Sequence, residues 1–117
     1  MLYAVDLNGC TALPGLPAEA VAAAFARALE SAGATVVHAL SHDFPGAGLT
    51  CVLILAESHA VLHTWPETGT VNIDIFSCSP RLRSLAAITE IGHLLGAREI
   101  FPVQETARVD GHSRATR

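Results

Sequence analysis

Residues 58–78, SHAVLHTWPETGTVNIDIFSC, decide the fold. Two alternating runs flank Pro66-Glu67-Thr68-Gly69, which is turn chemistry, so the stretch predicts an antiparallel hairpin with a four-residue loop. In that register Trp65 faces Thr70, His63 faces Asn72, Val61 faces Asp74 and His59 faces Phe76. Side chains alternate between faces, so Ala60, Leu62, Val71, Ile73 and Ile75 share one face, the core. His59, His63, Asn72, Asp74 and Cys78 share the other. Cys78 falls opposite the Glu57-Ser58 junction. Ser58 itself points to the core side, and a kink or bulge there would re-aim it. The hairpin is thus expected to gather a serine, a thiol and histidines near one end of a sheet.

Singly, each of these residues is ordinary. Polar side chains on an open strand face are usually just solvated, and a lone cysteine is usually a small buried filler. Their conjunction on one hairpin singles them out, although spacing alone names no reaction. A shared metal is argued against, because His59 and His63 on one strand lie about 13 Å apart at ~3.3 Å per residue, while a zinc ligand sits at about 2 Å. A serine hydrolase is disfavoured too, since no G-x-S-x-G elbow surrounds Ser58.

Outward from the hairpin, residues 49–57 (LTCVLILAE) form a nearly continuous apolar run, expected as a central strand. Residues 43–48 (DFPGAG) read as a loop and 35–41 as a strand. Residues 17–32 read as an amphipathic helix, with Pro17 in its first turn, Val21, Phe25 and Leu29 recurring every four residues, and Gly33 as its cap. Residues 2–8 read as a strand. Downstream, Ser79-Pro80 is expected to open a second helix, with Leu82, Leu85, Ile88, Ile91 and Leu95 as its apolar stripe and Gly96 as its end. Residues 98–104 suit an edge strand, because Pro102 cannot donate to a ladder. The tail from about 107 is polar.

The resulting order, β-α-β-β-β-β-α-β, predicts a two-layer α+β sandwich: a mainly antiparallel sheet with two helices on one face. The other sheet face then needs a cover, which a homodimer could supply. One domain is expected over residues 1–117. Half the chain is apolar and only 15% is charged, which supports a real core. The net charge is −4, with no basic patch, so neither nucleic acid nor an anionic membrane is expected as a partner. Three cysteines without a C-x-x-C pair suggest neither a disulfide framework nor a structural zinc site. No apolar run approaches the roughly 20 residues of a membrane span, and the start lacks a signal-peptide pattern. A reducing, cytoplasmic location is expected.

The residues also carry a resemblance. A-E-S-H (56–59), H-T-W-P-E (63–67) and D-I-F-S-C (74–78) at this spacing closely resemble the small bacterial and archaeal type of S-adenosylmethionine decarboxylase. D-L-N-G-C (6–10), G-A-T-V-V (33–37) and F-P-G-A-G-L-T (44–50) extend it, so that it covers roughly residues 4 to 104.

The resemblance implies a proenzyme that cleaves itself between Glu57 and Ser58, into a β chain of 1–57 and an α chain of 58–117. Ser58 would become a pyruvoyl cofactor that forms a Schiff base with the substrate's amine; no metal is implied. His63 matches the family's processing histidine. Thr50 stands where members commonly carry a serine that assists processing. Cys78 matches the proton donor, Glu67 a substrate-holding acid, and Phe44 an aromatic that stacks on adenine. The implied partners are a small-molecule substrate and a second αβ protomer, and the implied role is decarboxylation of S-adenosylmethionine for spermidine synthesis.

The chain departs from the family pattern at Asn8, where a tyrosine is usual, and at Thr68 and Thr70, where aromatics are usual. Asn72 replaces a small apolar residue, and Ser79 a glycine. Two alternatives therefore stay open. One is the same fold and cofactor acting on a basic amino acid such as arginine or ornithine. The other is a non-enzymatic regulatory homologue, against which the joint presence of Ser58, His63 and Cys78 counts.

Overall fold

The computed structural model describes residues 1–46, 48–78 and 82–108. Its elements run β1 (Leu2–Asn8), a short 3-10 turn (Leu13–Gly15), α1 (Ala18–Ser31), β2 (Val36–Phe44), β3 (Gly48–Leu55), β4 (Ser58–Trp65), β5 (Thr70–Phe76), α2 (Ser84–Leu95) and β6 (Glu99–Thr106). The strands form one sheet in the order β2-β3-β4-β5-β1-β6. Every neighbouring pair is antiparallel. This is the expected α+β architecture.

The β4–β5 register is the expected one, from Trp65 opposite Thr70 to His59 opposite Phe76. Ala60, Leu62, Val71, Ile73 and Ile75 are all buried. They meet Val21, Phe25 and Leu29 of α1 and Ile88, Ile91 and Leu95 of α2, which close the helix side of the sheet. Full burial of a side chain such as Phe25 contributes about 1.5–3 kcal/mol. The two helices are tied where α1 ends and α2 begins, by Arg83 N–H donating to the Ala32 carbonyl at 2.8 Å.

Three expectations need adjustment. β2 runs on to Phe44 rather than stopping at 41. Its residues beyond Val36 are exposed, so the strand carries no apolar alternation to mark its end. α2 starts at Ser84; the expected cap at Ser79-Pro80 and the tail beyond Arg108 lie outside the described residues. Leu85 is 57% exposed and leaves the apolar stripe, whose inward positions are Ser84, Ala87, Ile88, Ile91, Gly92 and Leu95. That set follows the 3.6-residue period of a helix.

Strand β3 begins at Gly48, with φ 101°, where any Cβ would collide with the Thr64 carbonyl. Only glycine lets β3 approach β4 this closely there. Beside it, Leu49 N–H donates to Thr64 Oγ1 at 2.9 Å, which fastens the start of β3 to β4.

The sheet face away from the helices carries Thr50, Val52 and Ile54 of β3, His59, Val61 and His63 of β4, and Asn72, Asp74 and Phe76 of β5. No element among the described residues covers it. Leu40, Ile54 and Trp65 are exposed there. No helix among the described residues is long and apolar enough to cross a membrane.

Candidate active site

The first group of site residues lies at the β3–β4 turn. Leu55 pairs with Ser58, so only Ala56 and Glu57 turn the chain. Glu57 has φ 56°, the one positive φ on a non-glycine residue among those described. A positive φ at the second turn position alone is the type II pattern, which favours glycine or asparagine. A glutamate held there costs on the order of 1 kcal/mol or more. The strained residue therefore contributes the carbonyl of the Glu57–Ser58 peptide bond. Ala56 N–H donates to the Thr35 carbonyl at 3.0 Å, anchoring the turn to the residue just before β2.

Ser58 is 9% exposed and keeps its core-side orientation. No bulge re-aims it, because the pairing runs unbroken from Thr50 opposite His63 to Leu55 opposite Ser58. The strained turn, not a bulge, shapes this junction. Ser58 Oγ accepts a hydrogen bond from Cys78 N–H at 3.1 Å. Cys78 thus lies beside Ser58, half-buried, at the exit of β5. Burial pushes the thiols of Cys10 and Cys51 up from their ordinary value, which keeps both inert; a bond from Ser41 partly offsets this at Cys51. On the open face nearby, the Phe76 ring lies 5.4 Å from His59 and carries the Arg108 guanidinium 5.2 Å above its centre.

The second group lies at the opposite end of β4. Thr50 and His63 are cross-strand partners, and Thr50 Oγ1 shares a 2.6 Å hydrogen bond with His63 Nδ1. His63 Nε2 is buried with no hydrogen-bond partner. The imidazole is bracketed by two aromatic rings, Trp65 at 4.4 Å and Phe44 at 6.2 Å. Phe44 and Glu67 also border a cleft of about 430 Å³ between the start of α1 and the strand ends, walled by Leu13, Leu16, Leu49 and Pro66. The cleft lies at this end of the sheet and does not reach Ser58.

The expected gathering of serine, thiol and histidines at one end is therefore corrected. Ser58, Cys78 and His59 occupy one end; His63, Thr50, Phe44 and Glu67 occupy the other. Ser58 and His63 are five residues apart on one strand, about 17 Å at ~3.3 Å per residue, and on opposite faces. Within one chain they do not meet.

A polar row crosses the open face at the His63 end. Pairings run from His42 to Thr50, His63, Asn72 and Asp6 in turn. Asn72 Nδ2 donates to Asp6 Oδ1 at 2.8 Å, and Trp65 Nε1 donates to Asn72 Oδ1 at 2.6 Å. Sequence reasoning put Asn72 opposite His63 but missed Asp6 and Trp65 as its partners. The signal for Asp6 was the β1–β5 pairing, which joins segments about 65 residues apart in sequence and has no local signature. Thr68 is explained by its turn, where its hydroxyl donates to the Trp65 carbonyl at 3.3 Å.

A family model described as S-adenosylmethionine decarboxylase matches residues 1–108. The S-adenosylmethionine decarboxylase proenzyme of Pseudomonas aeruginosa (strain UCBPP-PA14) is 33% identical over 85 residues, 73% of this chain and 53% of that protein. The proenzyme of the same name from Methanococcus vannielii is 40% identical over 68 residues, 58% of this chain and 56% of that protein. The chain spans about half the length of the curated relatives it matches. The crystal structure of the adenosylmethionine decarboxylase from Aquifex aeolicus VF5 superposes with a TM-score of 0.76 at 26% identity, covering 97% of this chain and 94% of that one.

Proposed function

The chain belongs to the S-adenosylmethionine decarboxylase family, and from that premise we propose that it is a self-processing decarboxylase of S-adenosylmethionine, cleaved at Glu57–Ser58. The observation that carries this reading is the left-handed Glu57 immediately before a serine whose Oγ is held by the Cys78 N–H. Strain in the turn raises the energy of the intact peptide, and the N–H stabilises charge developing on Oγ. Ser58 Oγ attacks the Glu57 carbonyl carbon, the C–N bond breaks, and an ester replaces the amide. Removal of the Ser58 Cα proton expels the Glu57 carboxylate. Hydrolysis of the resulting dehydroalanine releases ammonia and leaves a pyruvoyl ketone at the head of an α chain of 58–117, beside a β chain of 1–57.

Once formed, that ketone supplies an electron sink for loss of CO2 from an amine-bearing substrate. Cys78, next to residue 58, returns a proton to the substrate's α carbon. Phe44 and Glu67 line the substrate side, where an aromatic face and a carboxylate suit a ring system and a sulfonium cation. His63 acts through Nε2 as base, with Nδ1–H donating to Thr50 Oγ1.

The separation of Ser58 from His63 favours a homodimer of αβ protomers, in which the base of one protomer serves the serine of the other. The exposed Leu40, Ile54 and Trp65 on the open face support such a cover. The proposed setting is the cytoplasm, and the proposed product is the aminopropyl donor for spermidine synthesis.

Denaturing mass spectrometry tests the cleavage. Freshly purified protein is expected to show two fragments split at 57/58, with no free amine on the second; Ser58→Ala is expected to stay whole. A single intact wild-type chain would refute self-processing. Release of labelled CO2 is expected from S-adenosylmethionine; release from arginine or ornithine alone would reassign the substrate.

A further inference from the structure

We propose that Asn72 is a positioning residue for His63, acting through the indole of Trp65. The inference rests on the self-processing reading and adds to it a residue outside the motifs that carry the family resemblance.

The orientation of the Asn72 amide is determined by its neighbours. An indole N–H only donates, and a carboxylate only accepts. Trp65 Nε1 lies 2.6 Å from Oδ1 and Asp6 Oδ1 lies 2.8 Å from Nδ2, so a flipped amide would face donor with donor and acceptor with acceptor. The bond to Asp6 is charge-assisted and belongs to the stronger kind.

Within one protomer Trp65 is 43% exposed, so the packing of its own chain leaves the indole to the hydrogen bond with Asn72. Its ring stands edge-on to His63, at 4.4 Å between centres and 63° between planes. Thr50 holds Nδ1, which still permits the imidazole to pivot about that bond. Trp65 on one side and Phe44 on the other close the arc, and Nε2 is the atom left buried and unpartnered. The chain of contacts from Asp6 through Asn72 and Trp65 thus sets the direction in which Nε2 points. A small apolar residue at position 72, as in the family this chain resembles, would make neither hydrogen bond.

The test uses Asn72→Ala, Trp65→Phe and the double variant. Trp65→Phe keeps a ring beside His63 but cannot donate to Asn72. The rate at which freshly synthesised precursor splits is followed on denaturing gels, with melting temperature as the check on folding. Each single variant is expected to split roughly three- to tenfold more slowly, the worth of one net hydrogen bond. The double variant is expected to be no slower than either single one. Asn72→Ala splitting at the wild-type rate, or a double variant slowed by the product of the two factors, would overturn the proposal.

Trp65 is the only tryptophan in the chain, so its emission reports on the anchor directly. In an uncleavable Ser58→Ala background, adding Asn72→Ala is expected to shift the emission and lower its anisotropy. Unchanged emission and anisotropy would overturn the coupling whether or not the protein processes itself. A wild-type precursor that never splits would instead overturn the self-processing reading.

Discussion

Thr50 and His63 share a short hydrogen bond across two central strands, and the substance of that contact is one hydroxyl. The methyl of Thr50, by which it differs from serine, is not needed for it. Thr50→Ser is therefore expected to split at close to the wild-type rate, and Thr50→Val roughly tenfold more slowly, through loss of one hydrogen bond. Equal rates for the two variants on denaturing gels would remove Thr50 from processing. The buried thiols make a separate, pH-dependent prediction. Cys10 and Cys51 both have pKa values raised by burial from 9.0. Below that value both folded and unfolded chains keep these protons, and the stabilising contribution is complete. As pH rises further, the unfolded chain releases them first, so the contribution is lost through the folded pKa. Melting temperatures between pH 7 and 10 should fall at the alkaline end, and less steeply in Cys51→Ala. An unchanged slope in that variant would remove Cys51 as a source of the loss.

Among the elements, the β3–β4 turn holds the one left-handed non-glycine residue among those described. Glycine adopts the φ of Glu57 freely, so Glu57→Gly in a Ser58→Ala background is expected to stabilise the uncleaved chain by about 1 kcal/mol, read as a higher melting temperature. With Ser58 present, the same change is expected to slow splitting, because a relaxed peptide has less to gain by breaking. Faster splitting would show that the turn's strain does not drive the reaction. Most of the β4–β5 hairpin was legible in the sequence. Turn residues at 66–69 and strict alternation on either side set the β4–β5 register, and it places Cys78 beside Ser58. The length of β2 was not legible, because an exposed edge strand buries nothing and leaves no apolar mark. The distance from Ser58 to His63 is equally legible. The strand arithmetic that separates His59 from His63 applies to Ser58 as well, while motif spacing carries no information on which end of a strand a residue occupies. The Asp6–Asn72 contact was out of reach, since it depends on two strands meeting across most of the chain.

For the molecule as a whole, the division of the site into two ends makes trans processing a direct experiment. Ser58→Ala and His63→Ala chains, differently tagged, should each stay intact when made alone. Made together, they should yield cleaved product only from the His63→Ala chain, which keeps its serine and borrows a histidine. No cleavage in the mixture, with mixed dimers demonstrated, would exclude this arrangement. The strand order carries a last consequence for a chain cut at 57/58. In the order β2-β3-β4-β5-β1-β6, the first two strands belong to the leading fragment, the next two to the trailing one, and β1 lies between β5 and β6 of the other piece. The halves are interlaced, so neither can leave without unravelling the sheet. The intact chain assembles this sheet by a first-order process, but two severed halves must first collide. Recovery of secondary structure after denaturation should be independent of dilution for the Ser58→Ala precursor and should slow with dilution for the cut protein. A mature molecule of this kind keeps a memory of having once been a single chain, and its durability depends on not losing it.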